Sequence, residues 1–327
     1  MIIQEAQERD LAGITEIYND AVAHTTAICF IADAVDQFAL LKLVPGDIAV
    51  TLAGDNATDA RITEIRQLYG LDRPFLVQYG AWLGHVVQGD LSQSLLTGEK
   101  VADSIGRAFP NTLLIVVIAL LLALLTGIPM GVIAAIKPNG WIDKLISMIA
   151  SLGVAVPGFW LAMILVAEFS LKLNWLPATG AKSFSVSPID AIRHALLPGI
   201  AIAAYGMAEV ARQLRGALLE VLSSQYVRTL HAKGLSMSRI LWQHGLKNVG
   251  VNLLTIISLL VNRMLAATVV IEAVFAIPGL GSLIVRGAIQ RDFPIVQGVV
   301  FTMVVVVIAV NLITDLLCAA VDPRIEQ

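Results

Sequence analysis

The sequence is poor in charged residues, which make up 14% of its 327 residues, whereas hydrophobic residues make up 57%. An ordinary soluble domain is about a quarter charged, so this composition excludes a typical soluble globular protein. The formal net charge of -3 also lacks the basic excess that nucleic-acid binding needs, and we expect no nucleic-acid partner. The only cysteines, Cys29 and Cys318, lie near opposite ends and predict neither a disulfide framework nor a metal site.

The motifs of the common energy-using and hydrolytic sites are also missing. The sequence contains no Gly-x4-Gly-Lys-Ser/Thr phosphate loop, no His-Glu-x-x-His zinc motif and no credible nucleophile triad. We therefore expect no catalytic residues, no metal and no cofactor, and the chain is not predicted to be an enzyme. Residues 1–20 carry several charges and no apolar core, so no secretory signal peptide is expected.

What the sequence does contain is a series of apolar runs long enough to cross a bilayer, which takes about 20 residues of helix. They predict an all-α, polytopic membrane protein with about five clear transmembrane helices. The spans are expected at residues 111–136, 145–171, 194–207, 249–274 and 295–317. A further, first span at 21–44 is doubtful because it contains Asp33 and Asp36, and an Asp near a helix centre costs about 2.5–3.5 kcal/mol on insertion scales.

Changes of polarity along the chain predict three regions. Residues 1–37 form an atypical N-terminal segment, residues 38–110 a polar helical region, and residues 111–327 the transmembrane domain. Helices are expected at 58–68 and 75–87 within the second region.

Charge predicts which side of the membrane these parts face. Residues 38–110 are slightly acidic, whereas residues 209–248 carry six Lys or Arg against two Glu. Because cytoplasmic loops carry the excess of Lys and Arg, we expect the first region outside and the second inside.

A polar, basic island runs from Tyr226 to His244 between two apolar runs: Tyr-Val-Arg-Thr-Leu-His-Ala-Lys-Gly-Leu-Ser-Met-Ser-Arg-Ile-Leu-Trp-Gln-His. Its pattern predicts a helix at 226–233, a break at Gly234, and a second helix near Arg239 that Ser236 or Ser238 caps.

This island resembles the cytoplasmic coupling loop, or EAA loop, of ABC importer permeases, and in particular of the dipeptide, oligopeptide and nickel branch. Leu230 departs from the pattern, where that branch usually has Ala. A second motif, from Glu272 to Gly281, is similar to the family's Glu-x-Val-Phe-x-x-Pro-Gly-Leu-Gly. The resemblance implies that the island contacts an ATPase subunit through Tyr226, Arg228, Thr229, Ala232, Lys233, Gly234, Leu235 and Arg239.

The same resemblance implies the fold of a type I ABC importer permease and a place in the cell inner membrane. The chain would be a translocation subunit without its own ATPase site, with peptides as the expected cargo and nickel or other small solutes as alternatives. The implied partners are a second permease subunit, two ATP-binding cassette ATPase subunits and an external substrate-binding protein. Whether the two permease subunits are identical stays open, with a heterodimer favoured.

Five residues in the spans are candidates for lining or gating a pore. Pro157 and Phe159 belong to a Pro-Gly-Phe-Trp run similar to the family's Pro-Ser-Phe-Trp, and a packing kink is the alternative explanation for that proline. Asn262 and Arg263 lie inside an apolar span, where an Arg is costly unless it faces a partner or a wet cavity. Glu272 is the fifth candidate.

The first 29 residues resemble the start of a GNAT-fold acetyltransferase of the phosphinothricin type, through Asp10-Leu11, residues 17–22 and residues 25–27. The acetyl-CoA loop of that family has no counterpart, so we interpret residues 1–37 as a fusion or frameshift product without activity. The alternatives are a secondary transporter using acids such as Glu168, Glu272 and Asp315, an acetyltransferase-like enzyme, and an inactive permease whose first helix has been replaced.

Overall fold

The computed structural model describes residues 48–53, 58–68 and 72–321. The predicted N-terminal segment and the doubtful first span lie outside these residues. Throughout the described ranges the secondary structure is helical, and the pairing of Gln93 with Lys100 is an isolated bridge, not part of a strand. The predicted all-α class is therefore confirmed.

Three helices come before the long apolar ones: α1 (Ile48–Ala53), α2 (Asp59–Leu68) and α3 (Phe75–Val87). They are followed by α4 (Val101–Ile136), α5 (Trp141–Ala155), α6 (Gly158–Leu165), α7 (Pro188–Ser223), α8 (Gln225–Ala232), α9 (Met237–Ile240), α10 (Leu246–Val274), α11 (Leu280–Gln290) and α12 (Phe293–Val321). A π-helical segment, Val166–Lys172, extends α6, and another, Leu241–Gly245, joins α9 to α10.

The number of spans agrees with the sequence prediction. In the described part of the chain, 4 helices are long and apolar enough to cross a membrane: Val101–Ile136, Pro188–Ser223, Met237–Val274 and Phe293–Ala320. The bent pair Trp141–Ala155 and Gly158–Lys172 makes up to 5 if it counts as one span.

Several boundaries differ from the predicted ones. Helix α4 begins at Val101, ten residues before the predicted start of the span at residue 111. Pro110 lies inside this helix, where it removes one backbone donor but does not end the helix. Helix α7 begins at Pro188, where the Ser187 hydroxyl accepts a hydrogen bond from the Asp190 N–H. A Ser cap followed by Pro is a recognised helix start, and the sequence analysis missed it. Helix α11 was likewise not predicted from the sequence.

The described residues divide into two compact units, of which the first comprises residues 48–106 and 283–308. Buried Asp292 links two distant parts of this unit by hydrogen bonds. Its carboxylate accepts hydrogen bonds from the Ser94 hydroxyl and, at 3.2 Å, from the Leu95 N–H. The Trp82 and Phe301 rings meet edge to face, with their centroids 5.9 Å apart.

The second unit comprises residues 107–282 and 309–321, and α7 lies at its centre. Helices α4 and α5 approach the α7 backbone at glycines, where a side chain would have no room. A Cβ placed on Gly131 of α4 would lie 2.9 Å from the carbonyl oxygen of Ala211, and one on Gly153 of α5 would lie 2.9 Å from that of Ala204. Such contacts let helices pack closely in a membrane.

Replacing Gly131 with Ala tests this packing. The added methyl group must displace backbone, so we expect Gly131→Ala to destabilise the fold by about 1–3 kcal/mol. Thermal unfolding in detergent, followed by helical circular dichroism, measures the loss. Gly216→Ala on α7 is the matched control, because its Cβ would meet nothing within 4 Å. Equal stability of the two variants would contradict the close contact.

Candidate functional site

The first half of the basic island forms the predicted helix. Helix α8 begins after Ser224, whose hydroxyl accepts a hydrogen bond from the Val227 N–H. It ends where Gly234 adopts a φ of +84°, a left-handed conformation that favours glycine. The Gly234 N–H donates to the His231 carbonyl at 2.9 Å and the Leu235 N–H to the Leu230 carbonyl at 3.2 Å. This is the glycine-terminated helix end that the sequence predicted.

The second half differs from the prediction in its extent. Ser236 occupies the cap position with extended backbone, although its side chain makes no capping hydrogen bond. The helix that starts at Met237 then continues through the π-helical segment into α10. The expected short, separate second helix is therefore wrong, since Leu241–Gly245 keeps the backbone helical up to the membrane span.

Apolar side chains anchor this segment to the second unit. Val227 of α8, Ile240 of α9 and Leu241 are buried. Leu241 belongs to a buried cluster with Leu214 and Leu218 of α7, Ala135 of α4 and Val249 of α10. These contacts hold the basic island against the end of α7.

A polar contact also joins the two halves of the island. The Tyr226 hydroxyl and His244 Nδ1 lie 2.8 Å apart. Their rings meet edge to face, with centroids 5.7 Å apart. This pair closes the turn around Gly234 on the side of α10.

The exposed side chains of the island form a basic and aromatic surface. Among the predicted contact residues, Leu235 is half-buried, whereas the others are exposed: Tyr226, Arg228, Thr229, Ala232, Lys233, Gly234 and Arg239. Within the described residues, no acidic side chain forms an ion pair with its three cations. Trp242 is 66% exposed beside them. An exposed Trp is a strong candidate for protein contact that the sequence analysis missed.

An ion pair fixes α7 just before the island. The Arg215 guanidinium donates to both oxygens of Asp143, at 2.6 and 2.7 Å. Asp143, in the first turn of α5, is buried and also accepts from the Asn139 N–H at 2.8 Å. A bidentate pair of this kind fixes both distance and orientation. No local sequence pattern indicates this pair, because the two residues lie far apart in the chain.

The predicted bend at Pro157 is present. Helices α5 and α6, with its π-helical extension, meet there at 96°. The Pro157 carbonyl accepts from the Trp160 and Leu161 N–H groups at 3.0 and 3.1 Å and so starts α6. Phe159 is 47% exposed on the first turn of that helix. Whether the bend acts as a gate stays a prediction.

The two polar residues in α10 differ in their surroundings. The Oδ1 atom of Asn262 is buried and has no hydrogen-bond partner among the described residues. Arg263 is exposed on the surface of the chain and donates a hydrogen bond to the hydroxyl of Tyr205 on α7. The two adjacent polar residues therefore face different environments.

Glu272 lies inside a turn. It is fully buried and accepts hydrogen bonds from the Thr112 hydroxyl at 2.6 Å and the Ser282 N–H at 2.9 Å. The Thr112 oxygen in turn accepts from the Leu280 N–H at 2.8 Å. A Cβ on Gly281 would lie 2.5 Å from Val269 Cα, so the predicted close-packed glycine turn is present. Through these contacts Glu272 holds the turn together. This geometry does not support its predicted role in a pore.

Two family profiles together match most of the chain. Residues 127–327 match the binding-protein-dependent transport system inner membrane component, and residues 21–126 match the N-terminal part of the same membrane component. The second match begins inside the segment predicted to be atypical. The acetyltransferase resemblance of the N-terminus is not borne out.

Individual proteins of known name resemble the chain over nearly its full length. The oligopeptide transport system permease protein AppB of Bacillus subtilis is 38% identical over 293 residues, which cover 89% of this chain and 93% of that protein. A putative peptide transport system permease protein of Brucella abortus is 37% identical and covers 90% and 93%. The glutathione transport system permease protein GsiC of Escherichia coli is 37% identical and covers 88% and 92%.

A solved structure shares the fold. The methionine ABC transporter MetNI in an inward-facing conformation superposes with a TM-score of 0.55 and 18% sequence identity. The match covers 67% of this chain and 96% of that one. The fold predicted from the coupling-loop resemblance is thereby confirmed.

Removing one partner of the Asp143 ion pair tests its contribution. Asp143→Ala leaves the Arg215 guanidinium partly buried and unpaired, so we expect a loss of about 1–3 kcal/mol in stability. Lys172→Ala, which removes an exposed pair with Glu168 at 2.9 Å, should cost about 0–1 kcal/mol. Thermal unfolding of the two purified variants measures both. A loss for Asp143→Ala no larger than that of the control would show that the pair contributes little.

Proposed function

This chain belongs to the family of binding-protein-dependent transport system inner membrane components, and we propose that it transports peptides and contacts the ATPase subunits through the basic island. It is a multi-pass permease subunit of an ABC importer in the cell inner membrane. The observation that carries the proposed coupling role is the exposed, basic and aromatic surface around Gly234, held on a turn that packs against α7.

Peptide cargo is supported by the relatives of known name. Their printed names specify peptide, oligopeptide and glutathione transport, and glutathione is itself a small peptide. The chain covers more than nine-tenths of each of these proteins. The part that handles the cargo in them therefore has a counterpart here.

The family works with ATPase subunits and with a substrate-binding protein. The specific assembly proposed for this chain has two ATPase subunits, a second and different permease subunit, and one external binding protein. The absence of a phosphate loop from the sequence fits a subunit that depends on others for ATP hydrolysis.

The contact with the ATPase is proposed on the exposed side of the island. Arg228, Lys233 and Arg239 give this surface a positive charge, and Tyr226 and Trp242 give it aromatic area. Aromatic and Arg side chains contribute much of the energy of protein interfaces. The excess of Lys and Arg over residues 209–248 supports a cytoplasmic location for this surface, where ATP is available.

Motion at this contact reaches the membrane through packed groups. The buried cluster around Leu241 ties the island to the end of α7. The Arg215–Asp143 pair then ties α7 to the start of α5, and α5 leads to the 96° bend at Pro157. Closure of the ATPase subunits can thus displace the bent pair and change which side of the membrane the path opens to.

A secondary transporter would need a relay of free acids in the spans. Glu272 is enclosed in its turn, and Glu168 pairs with Lys172 at 2.9 Å. These placements favour the ATP-driven alternative.

A substitution at the turn separates ATP hydrolysis from uptake. Gly234→Asp places a side chain at positive φ, which costs about 1–2 kcal/mol, and adds a negative charge to the basic surface. We expect the assembled complex in proteoliposomes to lose about tenfold in peptide uptake per ATP hydrolysed, equivalent to about 1.4 kcal/mol of coupling. Uptake of labelled peptide and phosphate release are measured together.

The matched control is Ser238→Asp, which adds the same charge at an exposed position of α9. It should keep the ratio of uptake to hydrolysis within about twofold of wild type, because an ordinary helical position carries no positive-φ cost. Unchanged coupling in Gly234→Asp would refute the role of the turn. A similar loss in both variants would assign the effect to charge alone.

A further inference from the structure

Arg263 is an exposed cation in an apolar span. It lies well inside α10, in the Met237–Val274 candidate membrane segment. The exposed residues one turn to either side of it are Leu259, Ala266 and Ala267, and Val270 is exposed two turns further along. A guanidinium on such a face is unfavourable against lipid tails and is expected to face a partner or a wet cavity.

The groups around Arg263 leave its charge uncompensated. Its guanidinium donates to the Tyr205 hydroxyl, and its central carbon lies 5.7 Å from the centre of the Tyr205 ring. Tyr205 is neutral, and no carboxylate among the described residues forms an ion pair with Arg263. By contrast, Arg215 pairs with Asp143, and Arg212 pairs with Glu209.

Helix α10 packs against α7 beside Arg263. Next to Tyr205, Gly206 of α7 packs against α10 so closely that a Cβ there would lie 2.7 Å from the Met264 methyl group. Met264 and Leu260 are buried on that side of α10. The contact of the two helices therefore presents Arg263 and Tyr205 together, with the guanidinium on the open side.

A planar guanidinium recognises carboxylates well, because its parallel N–H groups match the two carboxylate oxygens. The hydroxyl of Tyr205 adds one O–H donor next to the guanidinium. Linear peptides of any sequence end in a carboxylate, so one such contact can serve cargo whose side chains vary. The electrostatic attraction between the guanidinium and a carboxylate is stronger in an environment of low polarity than in water.

We propose that Arg263 and Tyr205 form a binding site for the terminal carboxylate of the peptide as it passes through the membrane. The inference rests on the proposed peptide transport function and adds a contact between the permease itself and its cargo. The site distinguishes a free carboxylate from a neutral terminus and is indifferent to the peptide's sequence.

The test is equilibrium binding of two matched probes to the assembled complex in lipid nanodiscs, without the binding protein. The probes are trialanine and trialanine amide, which differ only at the terminal group. We expect trialanine to bind at least about fivefold more tightly than the amide, because the amide cannot form the charge-assisted hydrogen bonds of a carboxylate. Ligand-detected NMR measures both affinities.

Three variants assign the preference to this site. Arg263→Gln should abolish it, Arg263→Lys should retain part of it because the charge remains, and Tyr205→Phe should weaken it without abolishing it. Arg193→Gln is the matched control, since Arg193 is an exposed cation in the first turns of α7, and it should keep the wild-type preference.

The outcomes separate this inference from the proposed function. ATP-driven uptake of trialanine by the wild-type complex with its binding protein tests peptide transport independently. If uptake occurs but the wild-type complex binds both probes equally or binds neither, the carboxylate site is refuted and peptide transport stands. If Arg263→Gln releases the second permease subunit while Tyr205→Phe leaves the preference unchanged, Arg263 serves an inter-subunit contact and the inference is overturned.

Discussion

The close approach of neighbouring helices to the backbone of α7 is the constraint on which the second unit depends. Glycines on α4 and α5 lie against α7 carbonyl groups with no space for a side chain, as at Gly127, Gly131 and Gly153. In a membrane, burial of apolar surface does little to drive helices together, so van der Waals contact at small residues has to supply the association. Close packing of this kind resists deformation and makes α7 suited to move as a body.

Three polar contacts of this unit each join two of its helices. The Asp143–Arg215 pair joins the beginning of α5 to α7 near the basic island. Glu272 holds the turn after α10 against Thr112 of α4. Arg263 and Tyr205 join α10 to α7 between these two. Of these three contacts, the last is the one whose charged group is exposed and forms no ion pair among the described residues, which is why we assign it to the cargo.

Much of the architecture was predictable because it depends on local sequence. Apolar runs indicated the spans, and the glycine at 234 indicated the end of α8, since positive φ strongly favours glycine. The helix start at Ser187 was readable from its cap but was missed. The contacts of Asp143 with Arg215 and of Arg263 with Tyr205 could not be predicted, because each joins residues separated by dozens of positions and no local pattern records which helix faces meet. Continuity through Leu241–Gly245 was equally hidden, because the polar residues there are typical of a loop.

The coupling proposed for this permease depends on contact between the exposed side of the basic island and an ATPase subunit. Site-specific photo-crosslinking in native membranes detects this contact, with a photoreactive aromatic residue in place of Trp242, which is 66% exposed, or of Val186, which is 85% exposed just before the other end of α7. We expect a covalent adduct with the ATPase subunit from position 242 and none from position 186. An ATPase adduct from position 186, or its absence from position 242, would show that the island is not the contact surface.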